Sequence, residues 1–319
     1  MIARDPASLF ELARNGSRVA LARLLTYIES GGVRHRETVA LAYESPGPYV
    51  IGITGPPGAG KSTLTDRLIA TGLFVGERGD ALSQIGVLCV DPSSPFTGGA
   101  ILGDRIRMQE HATDERVFIR SMATRGHLGG LSQAVPDALR VMGAVGFSVV
   151  LVETVGVGQM EVEIASSADT TVVVTNPGWG DAMQANKAGL LEIADIFIIN
   201  KADRAGVRET KRDLEQMLDM GVERAWRPPI LETVATSATG VDAVWVACNE
   251  HREFQRTSGG FDERRRHRAR SELARVLAVA VRSRVEVVAG GDKYEQQVDA
   301  LLHGRTDPYA AAEALLEVV

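Results

Sequence analysis

The sequence predicts an α/β protein with a mostly parallel, doubly wound sheet flanked by helices, on three observations. Seven short apolar runs rich in β-branched residues punctuate the chain between Tyr49 and Thr236. Helical stretches lie between them, and parallel neighbours need such crossovers. The runs are continuously apolar rather than alternating, the pattern of strands covered by helices on both faces.

Taken in order, residues 5 to 45 read as helical, because Leu21, Leu24, Leu25 and Ile28 recur at helical spacing before Gly31-Gly32 breaks the pattern. Residues 1–45 are therefore expected to form an N-terminal helical extension. Pro46-Gly47-Pro48 marks a turn. The predicted strands follow: Tyr49–Thr54, Ile85–Val90, Val117–Ser121, Ser148–Glu153, Thr170–Thr175, Ile196–Asn200 and Ile230–Thr236. They place the central α/β domain at 46–258. From residue 259 the pattern is wholly helical. Leu273, Val276, Leu277, Ala280 and Val281 form one stripe, and Tyr294, Val298, Leu301 and Leu302 a second. A last helix is predicted with Asp307 as cap and Pro308 at its first position, Ala312, Leu315, Leu316 and Val319 sharing a face. Residues 259–319 must bury those stripes either against the central domain or in a homodimer arm, and amphipathicity alone does not choose.

The chain has 319 residues, 45% of them hydrophobic, enough for a substantial core. Its 41 acidic residues outweigh 35 basic ones, for a formal charge of −6. That balance disfavours nonspecific attraction to nucleic acid or anionic membrane and points to proteins and small molecules as partners. Cys89 and Cys248 are the two cysteines, and neither sits in a cluster of zinc spacing, so no disulfide framework or metal knuckle is expected. Charges interrupt the N-terminal MIARDPASLFELARNGSR, and no stretch approaches the ~18 apolar residues of a membrane helix. The expected compartment is the cytoplasm.

GPPGAGKS, Gly55–Ser62, follows the first predicted strand and precedes a good helix opening, TLTDRLIA. This is the context that a phosphate-binding loop requires, and it assigns the fold to the P-loop NTPase type. Gly55, Gly58 and Gly60 let the backbone turn its N–H groups toward phosphate oxygens, and the following helix adds its positive dipole end. Lys61 is placed to bridge the terminal phosphates, Ser62 to ligate Mg²⁺, and Thr63 to hydrogen-bond on the α-phosphate side.

The base is read elsewhere. At the end of IFIINKAD, Asp203 can accept from the ring N–H and the exocyclic amino group of guanine, two donors that adenine does not present together. An unpaired buried carboxylate penalises ATP by a few kcal/mol, on the order of a hundredfold. Asn200 can tie the strand end to neighbouring loops, and the Lys201 stem can lie over the base. NKxD alone is also the pattern of a capped helix start; its place at a strand end, well downstream of a phosphate loop, makes it a guanine motif. TSATG, Thr236–Gly240, offers the Ala238 backbone N–H to the guanine oxygen.

Asp91, Asp104 and Glu153 are the acids placed to serve Mg²⁺ and hydrolysis. Glu153 opens an ExxG segment ending at Gly156, where many GTPases have an aspartate and a γ-phosphate-sensing glycine. Three glycine-rich, charged segments have the composition of nucleotide switches: DPSSPFTGGAILGDRIRM with Asp104, Arg105 and Arg107, MATRGHLGGLS with Arg125 and His127, and ETVGVGQME. His127 fits a loop hydrogen bond better than a catalytic role. Val157 follows Gly156 where many small GTPases carry a water-positioning glutamine, and Gln159 is displaced from that place. Pro56 excludes a lysine reaching from the second loop position into a partner subunit. Slow intrinsic hydrolysis, accelerated by a partner, is expected.

Together GPPGAGKST, VDPSSPFTGGAILGDRIRM, MATRGHLGGLS, ETVGVGQME, NKAD and TSATG resemble the signatures of the MeaB/ArgK family of P-loop GTPases over almost the whole chain. The resemblance implies a chaperone of adenosylcobalamin-dependent acyl-CoA mutases, above all methylmalonyl-CoA mutase, that gates cofactor loading by GTP hydrolysis and protects the mutase. It also implies a homodimer made by the C-terminal helices. Carried onto this sequence, it assigns Gly55, Gly58, Ala59, Gly60, Lys61, Ser62 and Thr63 to the phosphates, and Ser62, Asp91, Asp104 and Glu153 to the Mg²⁺ side, with Lys61, Asp104 and Glu153 catalytic. Asn200, Lys201, Asp203, Ser237, Ala238 and Thr239 take the base, and NPGWGDAMQANKAG, with Asp181 and Lys187, matches an additional mobile loop. The DxHxxG cobalamin loop is absent, so adenosylcobalamin is expected on the partner. Two other readings are a nickel-insertion GTPase, which the six scattered histidines do not support, and a GTP-dependent phosphotransferase.

Overall fold

The computed structural model of the chain describes residues 5–77, 84–92, 111, 113–124, 134–154, 166–178, 189, 192–221, 224–289 and 291–316. Three helices come first: α1 (Pro6–Arg14), α2 (Arg18–Ser30) and α3 (Gly32–Ala42). Asp5 caps α1 by accepting from Ser8 N at 2.9 Å, and Ser17 caps α2 by accepting from Ala20 N at 3.3 Å. The extension expected as helical is thus a set of short helices, divided where capping side chains take the free amides. The α/β region follows as β1 (Tyr49–Thr54), α4 (Lys61–Glu77), β2 (Ile85–Pro92), β3 (Val117–Thr124), α5 (Ala134–Ala144), β4 (Val149–Thr154), β5 (Thr170–Thr175), β6 (Ile196–Asn200), α6 (Val207–Met220) and β7 (Ile230–Thr233). A 3₁₀ turn (Ala235–Ser237) leads into α7 (Val241–Ser258), and α8 (Gly260–Ala289), α9 (Asp292–Leu302) and α10 (Pro308–Leu316) complete the chain.

The strands form one seven-stranded sheet in the order β3-β2-β4-β1-β5-β6-β7, with every neighbouring pair parallel. Successive side chains of β1 supply opposite faces: Ile51 and Ile53 pack with Leu64, Leu68 and Ile69 of α4 and Val244 and Trp245 of α7, whereas Val50 packs with Leu24 of α2 and Leu139 of α5. On the far side of β1, Val173, Phe197 and Ile199 meet Val207, Leu214 and Met217 of α6. Helices therefore cover both faces, which is why the strands read as continuous apolar runs. From β1 the chain crosses over β4 to reach β2, and from β4 it crosses over β1 to reach β5. The winding direction reverses at β1, so a crevice opens at the carboxyl end of that strand, where open α/β sheets bind ligands.

One strand ends earlier than its sequence suggests. The run Ile230–Thr236 is β-structured only to Thr233, because the Ala235 N–H donates to the Asn200 side chain (3.1 Å) instead of a sheet ladder, and a 3₁₀ turn follows. At the opposite end of the sheet, Asp169 accepts from Val50 N (2.9 Å) and Asp195 from Thr171 N (2.8 Å), satisfying strand amides that no ladder reaches. Burial pushes the Tyr49 phenol beside them above its usual range.

The chain divides into two compact units, Met1–Phe261 and Asp262–Val319. In the second, Asp307 caps α10 through bonds from Tyr309 N (2.9 Å) and Ala310 N (3.1 Å), with Pro308 opening the helix. Leu273, Leu277 and Val281 on α8 stand 69%, 60% and 51% exposed, so the apolar stripe of this helix faces water. Among the described residues no helix is long and apolar enough to cross a membrane.

Cys89 and Cys248 are both buried on the α4 side of the sheet, and burial pushes the Cys248 thiol up to about 12. A protonated, enclosed thiol does not attack. Ellman's reagent at pH 8 is expected to titrate neither cysteine in the folded protein and both in guanidinium, and rapid labelling of the native chain would contradict this packing.

Candidate functional site

The phosphate loop lies between β1 and α4, at the crevice that the strand order creates. Gly55 holds φ +137°, and a Cβ there would stand 2.0 Å from the Val174 carbonyl oxygen of β5, so only glycine lets the loop leave β1 so close to its neighbour. Gly60 holds φ +92°, and a Cβ there would come within 2.4 Å of the Asn200 side-chain nitrogen. The glycine spacing is thus a matter of contact as well as torsion. The Gly60 carbonyl accepts from Leu64 N at 2.9 Å, which starts α4 and leaves the earlier amides of that helix directed at the loop.

Lys61 is buried, its Nζ donating to the carbonyls of Gly55 (2.8 Å) and Pro56 (3.0 Å). These bonds hold the ammonium against the loop, the position from which it would neutralise bound phosphates. Ser62 Oγ donates to Glu153 Oε1 at 2.6 Å, and both side chains are buried. Glu153 pairs in register with Ile53 of β1 and points to the α4 face, so the first turn of α4 and the end of β4 meet at a hydroxyl and a carboxylate. Two hard oxygen donors at one buried point fit Mg²⁺ and no softer metal. Ser62 and Glu153 would hold it, and the ion would supply charge neutralisation for the terminal phosphates.

The segments expected to read the base are joined to the phosphate loop by two side chains, Asn200 and Lys201. Asn200, 2% exposed at the end of β6, donates from Nδ2 to the Ala59 carbonyl (2.8 Å). Its Oδ1 accepts from Thr233 Oγ1 and from Ala235 N, both at 3.1 Å. Lys201 adopts a left-handed φ of +60° and donates from Nζ to the Gly58 carbonyl at 2.6 Å. The chain turns there, and Asp203 stands exposed two residues on. In the last segment Ser237 Oγ bonds the Val234 carbonyl (3.2 Å) and Thr239 Oγ1 (2.9 Å). Ala238 takes φ +57°, and its N–H donates to the Ala235 carbonyl at 3.2 Å, the bond it must exchange to reach a guanine oxygen.

The structure thus gathers Gly55, Gly58, Ala59, Gly60, Lys61, Ser62, Glu153, Asn200 and Lys201 through direct contacts, with Thr63 half-buried on α4. Asp91 lies in β2 opposite Ala123 of β3, and its side chain is outside the described residues. Asp104, Asp181, Lys187, Arg105, Arg107, Arg125, His127, Val157 and Gln159 also fall outside them. Sequence reasoning missed Thr233, whose hydroxyl helps fix Asn200; its only signal is a hydroxyl residue shortly before TSATG at a strand end.

A family model described as "Methylmalonyl Co-A mutase-associated GTPase MeaB" matches residues 21–289 of the chain. A protein of Pyrococcus abyssi named as a GTPase is 48% identical over 316 residues, covering 98% of this chain and 96% of that one. The GTPase ArgK of Escherichia coli is 35% identical over 294 residues, covering 89% and 87%. Among solved structures, a crystal structure of an LAO/AO transport system kinase superposes with a TM-score of 0.72 at 25% identity, covering 100% of this chain and 99% of that one.

The roles expected of Asn200 and Asp203 are separable. Asn200→Ala is expected to weaken GTP and XTP binding alike, by about tenfold or more, since it removes ties between loops. Asp203→Asn should weaken GTP and strengthen XTP, whose base carries a carbonyl where guanine has its amino group. Titration with fluorescent analogues of both nucleotides checks the pair, and unchanged GTP binding by Asp203→Asn would overturn the base assignment.

Proposed function

The chain belongs to the MeaB family of methylmalonyl-CoA mutase-associated GTPases, and from that premise we propose that it hydrolyses GTP to gate adenosylcobalamin loading onto an acyl-CoA mutase and to protect that enzyme. The observation that carries this reading is the Ser62–Glu153 bond. The helix that holds the phosphates and the strand that leads into ETVGVGQME meet at one buried hydrogen bond, so what binds at Ser62 acts directly on the root of that segment. Ligation of Mg²⁺ by these two groups would replace their mutual bond and alter the exit of β4. That is the physical form of a nucleotide switch.

The chemistry asked of the protein is positioning and electrostatic stabilisation. Lys61 and the first amides of α4 stabilise the charge that develops on the transferred phosphoryl group, and Ser62 and Glu153 hold the ion that shares it. Asp104 and Asp91 complete the Mg²⁺ side in this proposal. Val157, in place of a water-positioning glutamine, supports slow turnover by the chain alone and acceleration by the mutase. Adenosylcobalamin stays with the partner. The transport-system name of the solved relative supports a second reading, phosphoryl transfer to another molecule, and one assay separates the two.

With γ-labelled GTP and Mg²⁺, the purified chain is expected to release inorganic phosphate slowly, and methylmalonyl-CoA mutase to raise the rate at least about tenfold. A rate of many per second without partner, or no response to the mutase, would count against the gating reading, and label retained on a second molecule would favour phosphotransfer.

The exposed stripe Leu273, Leu277 and Val281 supports a homodimer built by the C-terminal helices. Light scattering is expected to give twice the chain mass for the native protein and the single mass for Leu273→Glu/Leu277→Glu, with GTP binding retained. A native monomer at micromolar concentration would refute it.

A further inference from the structure

Charge is divided unevenly along the second unit. Residues 262–284 hold eight arginines against three acids, whereas residues 285–319 hold seven acids against two bases, Lys293 and Arg305. In a chain whose formal charge is −6, α8 is thus basic over most of its length. Most of the acids that follow fall on α9, on α10 or at the cap between them. Arg266 and Arg270 are exposed on α8, as are Asp292, Glu295 and Asp299 on α9 and Glu313 on α10. One helix and the two that follow it therefore carry complementary charge.

The face that carries the apolar stripe of α8 continues into its basic end. Arg266, Arg270, Leu273, Leu277, Val281 and Val285 follow one another at steps of four, three, four, four and four residues, the spacing of one helical face. All four apolar members stand exposed. A helix of 30 residues extends about 45 Å, and a stripe of this length open to water calls for a covering surface. Val279 is the midpoint of Leu273–Val285, with Arg266 thirteen residues before it and Asp292 thirteen after it. Antiparallel pairing of two such helices about that midpoint brings the stripes together. It also sets Arg266 of each copy beside the start of the other copy's α9, where Asp292 and Glu295 stand. Parallel pairing would instead set the two arginine-rich ends side by side, where like charges repel.

We propose that α8 pairs antiparallel with α8 of a second copy of this chain, the apolar stripe at the centre and Arg266 and Arg270 of each copy against Asp292 and Glu295 of the other. The contact is self-complementary and occurs twice about a two-fold axis, as a closed dimer requires. The stripe supplies the burial, and the charges set direction and register. The proposal rests on the homodimer reading and adds to it the direction of the helices and the residues that choose it.

The test is light scattering of the full chain over a concentration series, with GTP binding as the folding control. Arg266→Glu/Arg270→Glu and Asp292→Lys/Glu295→Lys are each expected to weaken the dimer at least about tenfold, since each sets like charges against one another. The two pairs of substitutions move the net charge in opposite directions, so a loss in both reports the contact and not the total. An equimolar mixture of the two variants should dimerise about as tightly as the native chain, because both contacts again join opposite charges. Fraying of α9 alone would not be repaired by mixing. The chain carrying all four substitutions should dimerise by itself, and the gap between native and variant should narrow as salt is raised. Variants as dimeric as the native chain, no recovery on mixing, or a gap indifferent to salt would each overturn the antiparallel pairing and leave the homodimer standing. A native monomer at micromolar concentration would overturn both.

Discussion

The side-chain amide of Asn200 is the interaction on which the site depends. It is 2% exposed and spans the Ala59 carbonyl of the phosphate loop, the Thr233 hydroxyl at the end of β7 and the Ala235 amide of the following turn. Each such bond contributes only about 1 kcal/mol net, but an unpaired buried polar group left by its loss costs more than the bond is worth. The amide therefore acts less as a source of stability than as a constraint. It makes the phosphate loop, the NKAD turn and the TSATG turn adopt their positions together, and Lys201 adds a second strut from the same strand end to Gly58.

Around that constraint the two ends of the sheet are built differently. At the amino ends of the strands, polar side chains close on one another: Asp169 and Asp195 take strand amides, Thr170 bonds His251 Nδ1 at 2.8 Å, and the Tyr49 hydroxyl bonds Thr170. Trp226 adds a bond from its indole N–H to the Asp195 carbonyl and packs its ring, tilted by 51°, with its centroid 4.9 Å from that of His251. At the carboxyl ends, Lys61 is bonded to loop carbonyls and Ser62 to Glu153, bonds that the proposed site would exchange for phosphate oxygens and a metal ion. Buried polar networks rigidify where every member is matched internally, and serve chemistry where the partners can be traded.

Much of this was legible along the chain, for reasons that particular residues make plain. Gly55, Gly58, Gly60, Lys61 and Ser62 act over a single strand-to-helix turn, so their spacing encodes their geometry, and the strand Thr170–Thr175 needed only its apolar run to be seen. The run at Ile230 misled because its β-branched residues continue to Thr236, while the hydrogen-bond partner that ends the strand at Thr233 comes from β6. Thr233 carries no motif. Its hydroxyl meets Asn200, 33 positions away, and no local spacing reports such a contact.

The sequence by itself determined the ligand class and the sheet. Phosphate binding, guanine reading and a doubly wound arrangement follow from short-range patterns in which backbone torsion, hydrophobic period and donor spacing are all local. Only the tertiary structure decided that Gly55 is required by the Val174 carbonyl and Gly60 by Asn200, that the Ser62 hydroxyl meets Glu153, and that α4 also anchors the turn before β3. Those outcomes depend on which strands become neighbours. The order β3-β2-β4-β1-β5-β6-β7 is set by the burial of both sheet faces at once, a global balance of packing that no single segment encodes.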